Sequence, residues 1–232
     1  MIKKQIIPAI LEKNKKKFEN KIKIAIKLSN MIQIDIMDGA FVDNETPKNL
    51  NNGSWLNDFL IKHGQADWGV EIHLMVLDPW FFIQQWKEFD VVKRFIWHAE
   101  IPINHRDLIF QVHDLGFEAG LAVNPDSAIL KTVDLLKSTL DDRLKKYTLD
   151  ELLFLGVQPG FSGRRFDTNI LEYIKVVKDF NDKIVIGVDG GIKEGNIKEI
   201  AKVGTDRFNI GSAIFKSKNP QKSFEKLINL IK

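Results

Sequence analysis

Short apolar runs alternate with longer stretches in which apolar residues recur every three or four positions, and this rhythm continues along the chain. The short runs predict strands over Gln5–Leu11, Met31–Met37, Gly69–Met75, Arg94–His98, Glu118–Val123, Leu152–Val157, Ile184–Val188 and Arg207–Ile210. Helical spacing between them predicts helices over Lys15–Leu28, Trp55–Lys62, Pro79–Lys87, Arg106–Leu115, Ser127–Leu136, Thr168–Phe180 and Gly195–Val203. A last helix, Pro220–Ile231, closes the chain. Eight strands each followed by a helix is the arithmetic of a (β/α)8 TIM barrel with a parallel eight-stranded wall. An open doubly wound sheet shares the alternation, but it usually carries a Gly-rich turn after its first strand. Here the glycine turns follow later strands, after Val157, Val188 and Ile210. No linker, tandem repeat or low-complexity tract interrupts the pattern, so one barrel domain over residues 1–232 is expected.

Composition narrows the function classes. The chain has no cysteine, which removes disulfides, thiolate metal sites and a cysteine nucleophile. Its apolar runs, such as Ile22 to Leu28 and Leu152 to Val157, fall far short of the roughly 20 residues that span a bilayer. No apolar leader follows Met1-Ile2-Lys3-Lys4, so a cytoplasmic protein without membrane contact is expected. The formal net charge is only +3. Within the basic cluster Lys13 to Lys27, the spacing of Phe18, Ile22, Ile24 and Ile26 describes a solvated helix with one apolar face, and no nucleic-acid partner is expected.

Polar residues collect where strands end. In Ile32-Gln33-Ile34-Asp35-Ile36-Met37-Asp38-Gly39 a period of two puts Gln33, Asp35 and Met37 on one face and the isoleucines on the other. Polar side chains facing a barrel interior are costly unless they coordinate or catalyse something. With His73 on the third strand and Asp189 ending the seventh, two carboxylates and an imidazole can converge. That set suits a divalent ion or proton transfer at a carbon beside a carbonyl. Taken singly, Asp38-Gly39 and Asp189-Gly190 are also turn formers, and His73 is also an ordinary core residue. Three glycine turns, Gln158 to Gly163, Asp189-Gly190-Gly191 and Gly211-Ser212, expose backbone N–H groups that can hold an anion without a lysine.

These motifs resemble the ribulose-phosphate 3-epimerase family, a phosphate-binding (β/α)8 barrel. The likeness runs through Ile34 to Gly39 with Phe41, Val42 and Asn44, then His73 to Val76 with Pro79, and Gly120 to Pro125. It continues through Val157 to Gly163 with Phe166, Val188 to Gly191, and Gly211 to Ile214. The resemblance implies that Asp35 and Asp189 are the acid/base pair and that Asp35, His73 and Asp189 ligate a divalent ion (zinc, iron, manganese or magnesium). It implies phosphate contacts at Gly160, Phe161, Ser162, Gly163, Gly190, Gly191, Gly211 and Ser212. His73 also borders the substrate, and Met37 and Met75 line the cavity over the reacting carbon, although core packing explains those methionines equally well. The partner implied is a small phosphorylated sugar, and family members often form homo-oligomers.

The chain also departs from the family. Gln33 occupies the position of a fourth ligand, a histidine, and Glu12 stands where the family has a serine. Ala40 and Asp43 replace a histidine and a proline, and the stretch Leu136 to Leu152 is long enough for an extra outer helix. Counting by twos groups Pro8, Ile10 and Glu12 on one face, which would turn Glu12 toward the site. Two readings follow: Glu12 replaces the missing imidazole as a ligand, or the metal site is lost and Glu12 faces solvent or caps the next helix. The activity implied is epimerisation of D-ribulose 5-phosphate to D-xylulose 5-phosphate at C3. The alternatives are another ketose phosphate, such as a hexulose 6-phosphate, and a non-catalytic sugar-phosphate binder. Related barrels that decarboxylate or perform aldol chemistry carry a lysine where this chain has Met37, which argues against those reactions.

Overall fold

Eight parallel strands close on themselves in sequence order, the first pairing with both the second and the eighth. They are β1 (Gln5–Ile10), β2 (Met31–Met37), β3 (Gly69–Met75), β4 (Val92–His98), β5 (Glu118–Val123), β6 (Glu151–Leu155), β7 (Val185–Asp189) and β8 (Arg207–Ile210). The structure is a computed structural model describing residues 3–47, 56, 58–59, 62, 68–127, 134, 148–160 and 165–232. The helices among the described residues are α1 (Lys15–Leu28), α2 (Pro79–Trp86), α3 (His105–Asp114), α4 (Asn169–Phe180), α5 (Ile197–Lys202), α6 (Ser212–Phe215) and α7 (Pro220–Ile231). None is long and apolar enough to cross a membrane. Most of the helices predicted over Trp55–Lys62 and Ser127–Leu136, and most of the stretch from 136 to 152, lie outside the described residues.

Local chemistry sets where the helices begin. Asn14 accepts from Lys17 N ahead of α1, Asp78 accepts from Phe81 N ahead of α2, and Asn219 accepts from Lys222 N ahead of α7. Pro79 and Pro220 follow two of these caps, at a position where the missing N–H costs nothing. α5 starts two residues later than its spacing predicts. Asn196 closes a turn by accepting from Lys193 N and donating to Gly191 O, which holds the chain out of the helix until Ile197.

The alternation along the strands sorts two layers. Ile32, Ile34 and Ile36 of β2 join one large apolar cluster with residues of the surrounding helices, such as Phe18, Ile22 and Leu227. Inside the barrel a small apolar cluster of Ile96, Ala122, Leu153 and Leu155 packs separately. Near the N-terminal ends of the strands the interior is ionic: Arg94 Nη1 donates to Glu71 Oε2 at 2.6 Å and to Glu151 Oε2, and Arg207 also reaches Glu151. Glu71, Arg94 and Glu151 are almost completely buried. Gly187 leaves them room, since a Cβ there would collide with Glu151 Oε1. The opposite, C-terminal mouth of the barrel is left for chemistry.

Candidate active site

Strand register brings the sequence-selected acids together. Asp35 and His73 are direct partners across β2 and β3, and Asp189, at the end of β7, pairs with Asn209 on β8. His73 Nδ1 lies 3.1 Å from Asp35 Oδ1 and 3.6 Å from Asp189 Oδ2. Gln33 Nε2 donates to those same two oxygens, at 2.8 Å to Asp35 and 2.7 Å to Asp189. One ligand atom from each of Asp35, His73 and Asp189 lies within 4.8 Å of the others, a spacing that a single cation could bridge. Asp35 and His73 are buried, and Asp189 is partly open to the cavity.

A second line of polar groups runs sideways from His73. Its Nε2 is 3.1 Å from His98 Nε2, and His98 Nδ1 is 3.2 Å from Glu100 Oε2. Glu100 Oε1 accepts from Asn124 N at 2.7 Å and from Ser127 Oγ. A carboxylate only accepts, so His98 carries its proton on Nδ1 and turns the lone pair of Nε2 toward His73. His73 must then hold its own proton on Nε2. Its Nδ1 faces the acids, either as a lone pair for a cation or with a second proton shared with Asp35.

Burial and charge move these groups in different directions. Burial pushes the Asp189 carboxyl up, and the neighbouring Asp35 charge adds to that, so it titrates at about 7 despite the opposing pull of His73 and Gln33. Burial works against a charged His73. The hydrogen bond that His73 donates to Asp35 and the charges of Asp35, Asp189 and Glu71 outweigh it and raise His73 above the ordinary imidazole value. Burial, with the His73 charge beside it, pushes His98 down to about 4 and keeps it neutral.

The acids open into a cavity of about 260 Å³ that is also lined by Gly160, Gly190, Gly191, Gly211 and Ser212. Gly190 and Gly191 have φ of 89° and 69°, a region that strongly favours glycine. A Cβ at Gly190 would also lie 2.6 Å from Val157 Cγ2. Asn44 Nδ2 donates to Gly160 O at 2.6 Å, tying the loop after β2 to the loop after β6. Phe161, Ser162 and Gly163 lie outside the described residues. Lys21 and Lys216 also line the cavity, so cations join the amides that the sequence suggests. Met75 lines the cavity, whereas Met37 packs fully buried behind it with Val42.

Glu12 reaches the cavity as expected, but the counting by twos does not take it there. The face it shares with Ile10 is the helix side, because Ile10 joins the outer core while Ala9 and Leu11 line the cavity. The Glu12 carboxylate borders the cavity but pairs with Lys21 Nζ at 3.1 Å and accepts from Lys13 N, and it stands apart from the three-residue cluster. Asn209, His98 and Glu100 are the residues that sequence reasoning passes over. Period-two counting in Arg207-Phe208-Asn209-Ile210 places Asn209 inside, but four residues are too few for the alternation to stand out.

A closed barrel with two acids and an imidazole at its C-terminal mouth, in a cavity shared with glycine turns, defines the chain as a (β/α)8-barrel enzyme. The family model described as the ribulose-phosphate 3 epimerase family matches residues 5–215, and the chain belongs to that family. A ribulose-phosphate 3-epimerase of Aquifex aeolicus is 30% identical over 207 residues, covering 88% of this chain and 85% of the relative. One of Buchnera aphidicola subsp. Baizongia pistaciae is 35% identical over 196 residues, covering 82% and 79%. Among solved structures, 3-hexulose-6-phosphate synthase from Salmonella typhimurium aligns over 98% of both chains with a TM-score of 0.68 and 16% identity, a likeness of fold alone. The protein is an epimerase.

Proposed function

We propose that this chain inverts C3 of a ketopentose 5-phosphate, interconverting D-ribulose 5-phosphate and D-xylulose 5-phosphate through an enediolate. The observation that carries the reading is that Asp35 and Asp189 meet in a cavity that glycine turns and two lysines also line. The phosphate binds at Gly160, Gly190, Gly191, Gly211 and Ser212 and fixes the sugar so that C3 lies between the carboxylates. One carboxylate removes the C3 proton, and the other returns a proton to the opposite face. Such a pair works when one acid is ionised and its neighbour still holds a proton, and the upward shift of Asp189 favours that division near neutral pH.

The donor set of Asp35, His73 and Asp189 suits a divalent cation, and these three residues would hold it. The chemistry such an ion supplies when bound is stabilisation of the negative charge that grows on the oxygens next to the reacting carbon. His98 and Glu100 keep His73 Nδ1 turned to the acids.

Substitution tests the assignment. Asp35→Asn and Asp189→Asn are each expected to lower turnover of D-ribulose 5-phosphate by about 10²–10⁴-fold or more, while calorimetry still detects binding of the phosphorylated sugar. Near-wild-type turnover by either variant would overturn the pairing. Solvent deuterium entering C3 in the wild type supports an enzyme acting on this ketose. Binding without exchange supports a sugar-phosphate binder, and exchange confined to a hexulose 6-phosphate moves the reading to the longer sugar.

A further inference from the structure

The amide of Gln33 is the feature that the reaction as described leaves unused. On one side it faces two carboxylates, and on the other it faces the Asn209 amide. Asn209 in turn faces the buried carboxylate of Glu71. An ionised carboxylate accepts and does not donate, and the same Gln33 atom contacts both acids, so with even one of them ionised that atom must be the NH2 group, with one hydrogen for each acid. Gln33 Oε1 is then left needing a donor. Asn209 meets that need with Nδ2, whose two hydrogens go to Gln33 Oε1 and Glu71 Oε1. The reverse orientation would press Gln33 Oε1 against two acids and Asn209 Oδ1 against a third. Asn209 Oδ1 is buried and finds no partner among the described residues, so the acids and not the carbonyl dictate the arrangement.

We propose that Gln33 is a bridging hydrogen-bond donor to the two acids, not a ligand, and that Asn209, anchored on Glu71, is the positioning residue that fixes it so. The proposal deepens the reading of the site as an epimerase centre, since it concerns how that centre meets a cation. The oxygens that Gln33 Nε2 holds, Asp35 Oδ1 and Asp189 Oδ2, are also those nearest His73 Nδ1. A cation taking these three atoms therefore meets N–H hydrogens where a fourth ligand would otherwise help. The donor set fits a divalent ion in three positions and opposes it in the fourth. The ion must either bind weakly or turn over two coupled amides at the loss of the hydrogen bond from Asn209 to Glu71. In exchange, the amide keeps two carboxylates close together without an ion.

The test is a titration of the purified full-length chain, first stripped with chelator, with Co²⁺ alone or Mn²⁺ alone and no substrate. Gln33→His is expected to tighten Co²⁺ binding by at least about tenfold and to strengthen the visible absorption of the bound ion. Asn209→Leu, which frees Gln33 to turn its oxygen inward, is expected to tighten Mn²⁺ binding relative to wild type. It should add nothing in the Gln33→His background. Equal affinity of wild type and Gln33→His would show that the Gln33 amide does not oppose the ion, and would overturn the proposal. A folded Asn209→Leu variant with wild-type affinity would overturn the role of Asn209. Should Asn209→Leu not fold, Gln33→His alone decides the role of Gln33, and Asn209→Ser repeats the test of the anchor. Because no substrate is present, a failed titration leaves the epimerase reading standing. A chain that orders its metal affinities as stated yet never exchanges C3 hydrogen sinks that reading alone.

Discussion

Asp35, His73 and Asp189 were visible in the sequence because each breaks an apolar strand at the end where barrels keep their chemistry. Gln33 was visible for the same reason, two residues before Asp35. The partners that give these groups their properties were not. His98, Glu100 and Asn209 act through contacts between different strands and loops, and no periodicity within one segment reports such a contact. Their effects are nevertheless specific enough to measure. Glu100→Gln leaves a side chain that can donate to His98 Nδ1, so the proton order along His98 and His73 is no longer fixed. Its kcat is expected to fall about tenfold with KM nearly unchanged, as befits a positioning residue. A rise in KM at constant kcat would assign Glu100 to substrate binding instead.

At the scale of elements, the strands were legible almost residue for residue, since runs of buried apolar positions mark them whatever they pair with. Met31–Met37, Gly69–Met75 and Glu118–Val123 begin and end as the pattern predicts. α6 was not legible, because Ser212–Phe215 is a single turn and carries no helical period. α5 begins later than its spacing suggests, because that spacing is continuous through the turn that Asn196 closes. The turn after β7 shows what the elements contribute to binding. Gly191 has a φ of 69°, and a Cβ there would lie 3.0 Å from the Phe166 backbone. Gly191→Ala therefore has to distort the turn, at a strain of about 1–3 kcal/mol. KM for the phosphorylated ketose is expected to rise about tenfold while kcat changes less. Steady-state kinetics with unchanged KM would remove this turn from the phosphate site.

At the scale of the whole molecule, the barrel divides by depth into an ionic floor, a small apolar middle and a reactive mouth. The eight-fold alternation announced the barrel. The floor stayed hidden because Glu71, Arg94 and Glu151 come from three strands and become a cluster only when the sheet closes. Burial, with Glu151 beside it, raises Glu71 to about 7 against the opposing pull of Arg94. Arg94→Met would leave Glu71 and Glu151 facing each other without their central cation. Stability to urea is expected to fall by about 3–5 kcal/mol, and a loss below about 1 kcal/mol would show that the floor does not need its cation. Asn209 joins this floor to the mouth, since it binds both Glu71 and Gln33. The account as a whole stands on two acids serving opposite faces of one carbon. The direct test is exchange of C3 hydrogen with deuterium oxide by Asp35→Asn and Asp189→Asn, each given D-ribulose 5-phosphate and D-xylulose 5-phosphate separately. With one acid on each face, each variant should exchange only one epimer, and the two variants should choose opposite epimers. Exchange of the same epimer by both variants, or of both epimers by either, would contradict the account.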